Sequence, residues 1–538
     1  MKIEMSDFAY TIYKNKYSMD RKEEWPDTAR RVVESVMKPY TPALVDETIV
    51  LVESRKFMPG GRYLYAAGRK YPQVNNCFLM RAEDSREGWA GLGGNCINAL
   101  MTGGGIGVDY SAVRGEDSYI SGMGGRSTGP CALMQIINES GRHIRQGGSR
   151  RSAIWAGLRW DHPDCEKFIR LKDWPGWLRE QKLLDFNTPA PMDGTNISVI
   201  LNREFFDAHQ DDGHPKHHRA VVVYGLVVRR MLKTGEPGFS VDYEDELESL
   251  RNACTEVTSA DDLDMCNLGS LNLARIENVD EMWRAVELAT AFLVCGTLYS
   301  KLPVEAMYRI REKNRRLGLG LMGVHEWLLK RDRRYGPDAE LGKWLDAYAM
   351  SGAVANLACD RLGISRSVAT RAVAPNGTIS IVAETTSSAE PVMYAAYKRR
   401  YLDGNVWKAQ YVIDPTARRL VDDGCDPELI EDSLTLAEDY GRRIEMQAWL
   451  QRYVDHGISS TINLPPWGSS INNETTVDAF GKKLMEYLPG LRGITAYPDG
   501  ARGGQPITRV SYAEAVKSPG VEFLDGAEDG CRSGVCGV

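Results

Sequence analysis

Asn252-Ala253-Cys254-Thr255-Glu256, followed by Cys266 within Asp264-Met265-Cys266-Asn267-Leu268-Gly269-Ser270, is the stretch that decides how the rest of this chain is interpreted. Residues two apart on an extended segment point the same way, so Asn252, Cys254 and Glu256 share a face. A thiol between an amide and a carboxylate suits redox or radical chemistry. Taken alone, the pattern is more often a buried structural cysteine beside polar surface residues, so the choice depends on the other motifs.

Composition excludes several classes of protein. The chain has 538 residues, 43% of them apolar and 26% charged, and a formal net charge of −7. This balance is typical of a soluble globular protein, and the length favours about three domains. The negative charge indicates no nucleic-acid surface. No apolar run approaches the roughly 18 residues of a membrane span, and the acidic N-terminus has no signal-peptide core. We therefore expect a cytoplasmic protein that binds neither nucleic acid nor membrane.

The eleven cysteines are informative because of where they lie. In a cytoplasmic chain they are expected to be reduced, so a disulfide would be catalytic rather than structural. Cys77, Cys254 and Cys266 lie in polar or glycine-rich surroundings, whereas Cys531 and Cys536 form a C-x4-C pair near the end of the sequence. No cysteine spacing matches a zinc site, and we expect no metal ligands.

Several glycine-rich or basic segments precede the cysteine stretch. Asp84 and Ser85 are expected to cap a helix over residues 86–101. The run Thr102-Gly103-Gly104-Gly105-Ile106-Gly107 leads into a strand, and it fits a flexible loop or tight backbone crossing about as well as a close approach to a ligand. Residues 114–129 are expected to form a long loop and about 130–145 a helix. The segment Gln146-Gly147-Gly148-Ser149-Arg150-Arg151 fits a phosphate-binding loop and a helix end with solvated arginines equally well.

A later turn, Ala374-Pro375-Asn376-Gly377-Thr378-Ile379-Ser380, runs into a predicted helix. It offers N–H groups and hydroxyls to an anion, although simple N-capping is the commoner explanation of such a stretch on its own. Strand candidates at 196–200, 461–465 and 493–497 alternate with helical stretches. This alternation predicts βα units in an α/β fold with a mostly parallel sheet or barrel.

Together these segments resemble the catalytic chain of ribonucleotide reductases, from about residue 50 onward. The motifs, in the family's order, are Asn76-Cys77, Gly103 to Gly107, 147–153, Asn252-x-Cys254-x-Glu256, Cys266 to Ser270, Pro375 to Ser380, and Cys531 with Cys536. Residues 55–62 and 494–502 are similar to class II, the adenosylcobalamin-dependent branch. The adjacent tyrosines of class I are absent from this sequence. The segment nearest to the glycyl-radical motif of class III, residues 509–512, contains no glycine.

The resemblance implies a fold and a division of the chain. The fold is a ten-stranded α/β barrel of two parallel five-stranded halves, with Cys254 on a central loop. The division is an N-terminal helical region without an ATP-cone (1–70), a catalytic barrel domain (71–512) and a flexible C-terminal redox tail (513–538). Without the cone, we expect regulation of substrate specificity but no ATP/dATP on–off switch.

The resemblance also implies the reaction, which is reduction of ribonucleotides, preferably diphosphates, to 2′-deoxyribonucleotides for DNA synthesis. Cys254 would carry a thiyl radical initiated by adenosylcobalamin, Glu256 would act as general base, and Asn252 would orient the substrate hydroxyls. Cys77 and Cys266 would supply the reducing equivalents and close into a disulfide. The tail pair, Cys531 and Cys536, would reduce that disulfide by thiol exchange.

The implied binding residues fall into two groups. The substrate would be held by Asn76, Pro375, Asn376, Gly377, Thr378, Ile379 and Ser380. Deoxynucleotide or ATP effectors would be bound, and their identity relayed to the choice of substrate, by Asp84, Ser85, Gly147, Gly148, Ser149, Arg150 and Arg151. Expected partners are thioredoxin or glutaredoxin and a second copy of the chain, paired at the helix of residues 86–101. The sequence departs from the class II pattern at Ala253, where proline is frequent, and at Thr255, where glycine is usual.

Three alternatives remain beside this interpretation. The first is a class I-type catalytic subunit that needs a separate radical-generating metallosubunit. The second is an inactive nucleotide-binding regulator on the same fold, which the intact Cys77, Cys254, Glu256 and Cys266 argue against. The third is a thiol oxidoreductase that uses only the tail pair, which the lack of a C-x-x-C motif argues against.

Overall fold

A computed structural model describes residues 5–146, 150–184, 188–242, 248–403, 406–424, 426–427, 430–501 and 507–524. Within these ranges, no helix combines the length and apolar character needed to cross a membrane. The α-helices are α1 (Asp7–Lys16), α2 (Trp25–Met37), α3 (Val45–Glu53), α4 (Gly61–Ala66), α5 (Arg86–Met101), α6 (Gly129–Arg142), α7 (Cys165–Ile169), α8 (Gly176–Leu184), α9 (Arg203–Gln210), α10 (His217–Thr234), α11 (Val279–Tyr299), α12 (Glu305–Asn314), α13 (Val324–Leu329), α14 (Ala339–Ala349), α15 (Ser351–Leu362), α16 (Gly377–Ala383), α17 (Pro415–Asp422), α18 (Tyr440–Gln451), α19 (Val477–Tyr487) and α20 (Tyr512–Ala515).

The strands are distributed along the whole chain. They are β1 (Phe57–Pro59), β2 (Cys77–Arg81), β3 (Gly105–Asp109), β4 (Tyr119–Ile120), β5 (Gly125–Arg126), β6 (Arg145–Gln146), β7 (Arg150–Arg151), β8 (Ile154–Arg159), β9 (Thr195–Asn202), β10 (Gly238–Asp242), β11 (Leu250–Arg251), β12 (Thr258–Ser259), β13 (Asp264–Asn272), β14 (Leu317–Met322), β15 (Ala396–Asp403), β16 (Val406–Ile413), β17 (Thr461–Leu464), β18 (Gly493–Pro498), β19 (Ile507–Arg509) and β20 (Glu522–Leu524).

A ten-stranded sheet organises the fold. Its strand order is β1-β13-β2-β3-β8-β9-β10-β18-β17, and β14 pairs with β13 as well. Five neighbouring strands, β2, β3, β8, β9 and β10, are parallel. The pairs β13–β14 and β17–β18 are also parallel, whereas β13 meets β2 and β10 meets β18 in antiparallel register. The expectation of an α/β fold with a large parallel sheet is therefore confirmed.

Burial explains why these strands have nearly continuous apolar sequences. All residues of β3, β10, β13 and β14 are buried, because other elements cover the sheet; β3, for example, contacts both α5 and β11. One core cluster includes residues of α2, α3, α11, α14 and α15, and a second includes residues of α5, α6, α9 and α10. Parallel bridges Leu319↔Arg371 and Val373↔Ile458 lie beside β14 and just before β17.

Three expectations differ from the structure. The N-terminal region is helical, but its β1 joins the large sheet by pairing with β13. Residues 114–129, expected as a loop, contain a small ladder between β4 and β5. At the other end, regular structure continues past residue 513, where the tail was expected to begin. There β20 pairs with β16, and Ala515 is fully buried against Ala396 and Ile413. Strand pairing and apolar packing therefore hold the first part of the expected tail, up to residue 524, against the rest of the chain.

Candidate active site

The cysteine loop, residues 252–256, is the tip of the hairpin formed by β11 and β12. Asn252 closes the tip, because its Oδ1 accepts a 3.0 Å hydrogen bond from the Val257 N–H. Before the loop, Arg251 is fully buried and its guanidinium donates to the carbonyl of Val241 at 2.7 Å. The hairpin is therefore anchored at its base and closed at its tip by side-chain hydrogen bonds.

Glycines of β3 let the hairpin cross the sheet at very short range. A Cβ placed on Gly107 would lie 1.8 Å from the carbonyl oxygen of Arg251, and one on Gly105 would lie 2.9 Å from the Cβ of Ala253. No side chain fits in the first of these gaps. Of the interpretations given for the glycine run, the tight backbone crossing is the one found at these two positions.

Two buried cysteines lie directly opposite each other next to the loop. Cys77 in β2 and Cys266 in β13 are register partners in an antiparallel ladder, and their exposed fractions are 4% and 0%. Facing residues in such a ladder have Cβ atoms about 4.5–5.5 Å apart, close to the roughly 3.5–4.5 Å of a disulfide. Both thiols are free, and their register places them where a disulfide could form.

Hydrogen bonds connect the cysteine loop to Cys77. The Asn252 amide donates to Cys77 Sγ at 2.8 Å, and the Cys77 thiol is a donor 3.8 Å from Glu256 Oε1. Glu256 Oε2 is buried and has no hydrogen-bond partner among the described residues. An unpaired buried carboxylate oxygen is an acceptor site for the hydroxyl of a bound molecule.

Burial sets the proton affinity of these groups. It raises the pKa of Glu256 to about 7, because the charged form is poorly solvated there. Burial, together with the charge of Glu256, raises the pKa values of Cys77 and Cys266 well above that of a free thiol. The cysteines are therefore neutral S–H groups, which suits donation of hydrogen and protons better than thiolate attack. Glu256 titrates near neutral pH, as a general base should.

Cys254 differs from the other cysteines in its exposure. It is partly exposed, whereas the other described cysteines are buried. It lines a cavity of about 310 Å³ together with Trp155, Tyr497 and Pro375. The loop thus presents one thiol to a ligand-sized cavity and keeps its carboxylate buried next to the cysteine pair.

Two carboxylates on the cavity wall were not predicted from the sequence. Glu236 accepts a 3.2 Å hydrogen bond from the Ile197 N–H and pairs with Lys172 at 2.5 Å. Glu390 accepts from the Thr461 N–H at 2.8 Å and pairs with Arg443 at 2.5 Å. Each carboxylate is held by one largely buried cation and one main-chain N–H. The cations lie 64 and 53 positions away in sequence, so no local pattern could have indicated them.

The predicted phosphate-binding turn lies at the same cavity. Pro375 lines the cavity, and Asn376 has a left-handed main chain with φ of +60°. Asn376 occupies the N-cap position of α16, but its side chain makes no capping hydrogen bond. The side chain instead accepts from the Ser270 hydroxyl and donates to the Leu321 carbonyl, both at 3.1 Å, and so ties the turn to two strands of the large sheet. Thr378 is partly exposed, and Ile379 and Ser380 are buried.

Comparison with known families identifies the chain. Residues 75–220, 245–344 and 358–497 match the family described as "Ribonucleotide reductase, barrel domain". The chain belongs to this ribonucleotide reductase family. The match includes the cysteine loop, both facing cysteines and the turn at Pro375.

Curated relatives of this reductase chain include proteins from archaea, bacteria and eukaryotes. It is 28% identical over 540 residues to the vitamin B12-dependent ribonucleoside-diphosphate reductase of Thermoplasma acidophilum, covering 88% of this chain and 67% of that protein. It is 22% identical to the protein of the same name from Mycobacterium tuberculosis, covering 97% of this chain and 84% of the relative. The ribonucleoside-diphosphate reductase large chain of Cryptosporidium parvum is 27% identical over 52% of this chain and 40% of its own length.

The unusual Thr255 of this reductase has a structural consequence. Its main chain is left-handed, with φ of +67°, a region that strains a β-branched residue and suits glycine. This explains why glycine is the expected residue at that place. The strained residue directly follows Cys254, and backbone strain of this kind is often found at functional sites.

The predicted effector residues of the reductase are only partly described. Ser85 caps α5 as expected, accepting a 2.9 Å hydrogen bond from the Gly88 N–H, and Asp84 pairs with Arg114 at 2.7 Å. The main chain of Arg150 and Arg151 forms β7, which pairs with β6. Gly147, Gly148 and Ser149 lie outside the described residues, as do Cys531 and Cys536. Asn76 lies next to Cys77, and its buried Oδ1 has no partner among the described residues.

Proposed function

We propose that this chain is an adenosylcobalamin-dependent ribonucleoside-diphosphate reductase of class II. The single observation that carries the proposal is the position of Cys254 on the cavity wall, with Glu256 and the facing Cys77 and Cys266 buried directly beside the same loop. The names of the relatives that match 88% and 97% of this chain support the cofactor and the diphosphate substrate. The relative named as a large chain matches only 52% of it, so a class I-type subunit is not favoured.

In the proposed reaction, each described group has one task. The Cys254 thiyl removes the hydrogen atom at the ribose C3′, and Glu256 takes the 3′-hydroxyl proton through its unpaired Oε2. The 2′-hydroxyl then leaves as water after a cysteine of the pair protonates it. Cys77 and Cys266 give up two hydrogens in total and become a disulfide, while C2′ is reduced. The hydrogen returned to C3′ restores the thiyl of Cys254.

The residues at the cavity fit the implied cofactor. When bound, adenosylcobalamin supplies the radical that takes the hydrogen from Cys254. The cavity of about 310 Å³ has room for a nucleoside-sized group beside the thiol. Its hydroxyls and its two anchored carboxylates, Glu236 and Glu390, would hold the ribose of such a group.

We further propose that the large sheet closes into a ten-stranded barrel around the cysteine loop. The five parallel strands from β2 to β10 would form one half, and β13, β14, the segment near Arg371–Val373, β17 and β18 the other. The two isolated parallel bridges, Leu319↔Arg371 and Val373↔Ile458, support this closure. The catalytic domain would include β1, which pairs with β13, and the redox tail would begin after β20, which pairs with β16.

Regulation and partners complete the proposal. Effectors would bind near Asp84 and the loop of residues 147–151, and thioredoxin or glutaredoxin would reduce Cys531 and Cys536. A dimer through α5 is supported by its surface, where Ile97 and Met101 are 37% and 61% exposed. The same helix contains Gly91, Gly93 and Gly94, and a Cβ added to any of them would meet nothing within 4 Å. This surface therefore leaves room for a closely packed helix of a second copy.

The test is CDP reduction by the purified chain with dithiothreitol and an effector, with and without adenosylcobalamin. We expect dCDP only when the cofactor is present. Turnover that needs a second metalloprotein instead would overturn the assignment to class II. Absence of turnover with CDP but turnover with CTP would overturn the diphosphate preference alone.

A further inference from the structure

A short bridging segment, residues 455–459, contacts the cysteine loop directly. The Gly457 N–H donates a 2.7 Å hydrogen bond to the carbonyl of Glu256. His456 Nδ1 accepts a 3.3 Å hydrogen bond from the Thr258 N–H at the base of the hairpin. The Thr258 hydroxyl lies 3.2 Å from the same nitrogen, but it donates to Glu248 at 2.7 Å. The main-chain N–H is therefore the donor that His456 satisfies.

The other side of the bridging segment holds the strand that leads to the substrate turn. The Val373 N–H donates to the Gly457 carbonyl at 3.1 Å, and the Ser459 N–H donates to the Val373 carbonyl at 2.9 Å. The Asp455 carboxylate accepts from the N–H groups of Thr370 and Arg371 at 2.9 and 3.1 Å. Val373 precedes Pro375 by two residues, so one segment fixes both the cysteine loop and the start of the turn.

The environment of His456 keeps its imidazole neutral. The side chain is fully buried, and burial, followed by the charge of Arg316, lowers its pKa to about 3. The other charged groups acting on it are Glu248, Asp455 and Arg251. With Nδ1 as an acceptor, the proton resides on Nε2, so the imidazole remains a fixed acceptor across the working pH range.

Close packing leaves the loop little freedom at this contact. A Cβ on Gly457 would lie 3.1 Å from the Thr255 carbonyl oxygen. The Glu256 carboxylate has one long side-chain contact, from the Cys77 thiol to Oε1 at 3.8 Å, and Oε2 has no partner among the described residues. The direction of Oε2 therefore depends on the main chain of Glu256 as well as on that contact. A displacement of about 1 Å between reacting groups costs up to about a hundredfold in rate.

We propose that His456 is a positioning residue that sets the cysteine loop in register with the turn at 375–380. The assignment rests on the proposed reductase function. His456 touches neither the substrate nor a reacting atom. It acts by satisfying the Thr258 N–H and by holding Gly457 against the carbonyl of Glu256.

Three substitutions separate this role from general stability. His456→Asn keeps an acceptor near the position of Nδ1, His456→Gln moves the acceptor away from it, and His456→Leu removes it. His162→Leu is the matched control, because His162 is also buried and accepts a main-chain N–H through Nδ1, that of Asp164 at 3.0 Å. It makes this contact outside the cysteine loop and the bridging segment.

Steady-state CDP reduction with adenosylcobalamin gives the first readout. We expect kcat of His456→Leu and His456→Gln to fall about thirtyfold to a hundredfold, with KM for CDP within twofold of wild type. His456→Asn should recover most of the rate, and His162→Leu should lower the unfolding temperature without lowering kcat. Equal impairment of the Asn and Gln variants, or a wild-type kcat in the Leu variant, would overturn the proposal.

Alkylation of Cys254 by iodoacetamide gives a second readout that needs no turnover. It therefore remains informative if the wild-type chain does not reduce CDP, a result that would count against the proposed function alone. We expect equal alkylation rates in wild type and His456→Asn and at least a threefold faster rate in His456→Gln, because the loop is released. Equal rates in the Asn and Gln variants would contradict the positioning role.

Discussion

Gly107→Ala tests whether the position of the cysteine loop depends on the glycine in β3. The added Cβ would lie 1.8 Å from the Arg251 carbonyl oxygen, whereas ordinary contacts begin at 3.4 Å. The hairpin would therefore have to move by roughly 1.6 Å. Since a displacement of about 1 Å costs up to about a hundredfold in rate, we expect kcat to fall by about a hundredfold or more. Forced overpacking should also lower the free energy of unfolding by about 1–3 kcal/mol.

The assay for this variant combines CDP reduction with urea unfolding. Gly225→Ala is the control, because Gly225 lies inside α10 and a Cβ there would meet nothing within 4 Å. That variant should keep wild-type activity and gain roughly 0.5–1 kcal/mol of stability, since alanine favours a helix interior over glycine. A Gly107→Ala enzyme with wild-type kcat would refute the argument that the close crossing sets the position of Cys254.

Three further predictions concern the reacting groups. Turnover should fall as the pH drops below about 7, where Glu256 becomes protonated. Glu256→Gln should lower the rate of CDP reduction steeply, and the residual rate should no longer fall below pH 7. Because its pKa is higher in the folded than in the unfolded chain, Glu256 favours folding at low pH and loses this contribution between about pH 4.5 and 7. Glu256→Gln should therefore raise the free energy of unfolding at pH 8, by on the order of 1–3 kcal/mol; an unchanged value would contradict the burial argument. Cys254→Ser should eliminate dCDP formation, since a hydroxyl forms no comparable radical, and measurable product would exclude the thiyl role. The double change Cys531→Ala and Cys536→Ala should weaken turnover with thioredoxin but spare one turnover per prereduced chain. Equal steady-state rates in this variant and the wild type would exclude the proposed transfer of reducing equivalents through the tail pair.

The residues proposed to react could be selected from the sequence because each lies in a short motif. Asn252, Cys254 and Glu256 are two positions apart, and Cys77 and Cys266 stand in recognisable family segments. The structure brings Cys77 and Cys266 into register on neighbouring strands and links Cys77 to Asn252 and Glu256. Their grouping agrees with the interpretation from sequence.

Other parts of the site required the tertiary structure. Glu236 and Glu390 reach the cavity through partners on distant elements. His456 lies 198 positions from Thr258, the residue that it contacts. No local spacing indicates such pairs, because the hydrogen bonds form only after separate elements pack together. The same is true of the glycine run. Whether its glycines allow a tight backbone crossing or a close approach to a ligand depended on where Arg251 passes over β3.

The sequence by itself determined the α/β class, the family resemblance, the capped helix over residues 86–101 and the choice of the five residues proposed to react. These features follow from local patterns, namely hydrophobic periodicity, a capping serine and short motifs, which are written in consecutive residues. The tertiary structure alone decided the sheet order, the buried environment that raises the pKa of Glu256, and the contacts that hold the cysteine loop in place. Burial and long-range hydrogen bonding depend on which distant elements become neighbours, so they exist only in the folded chain.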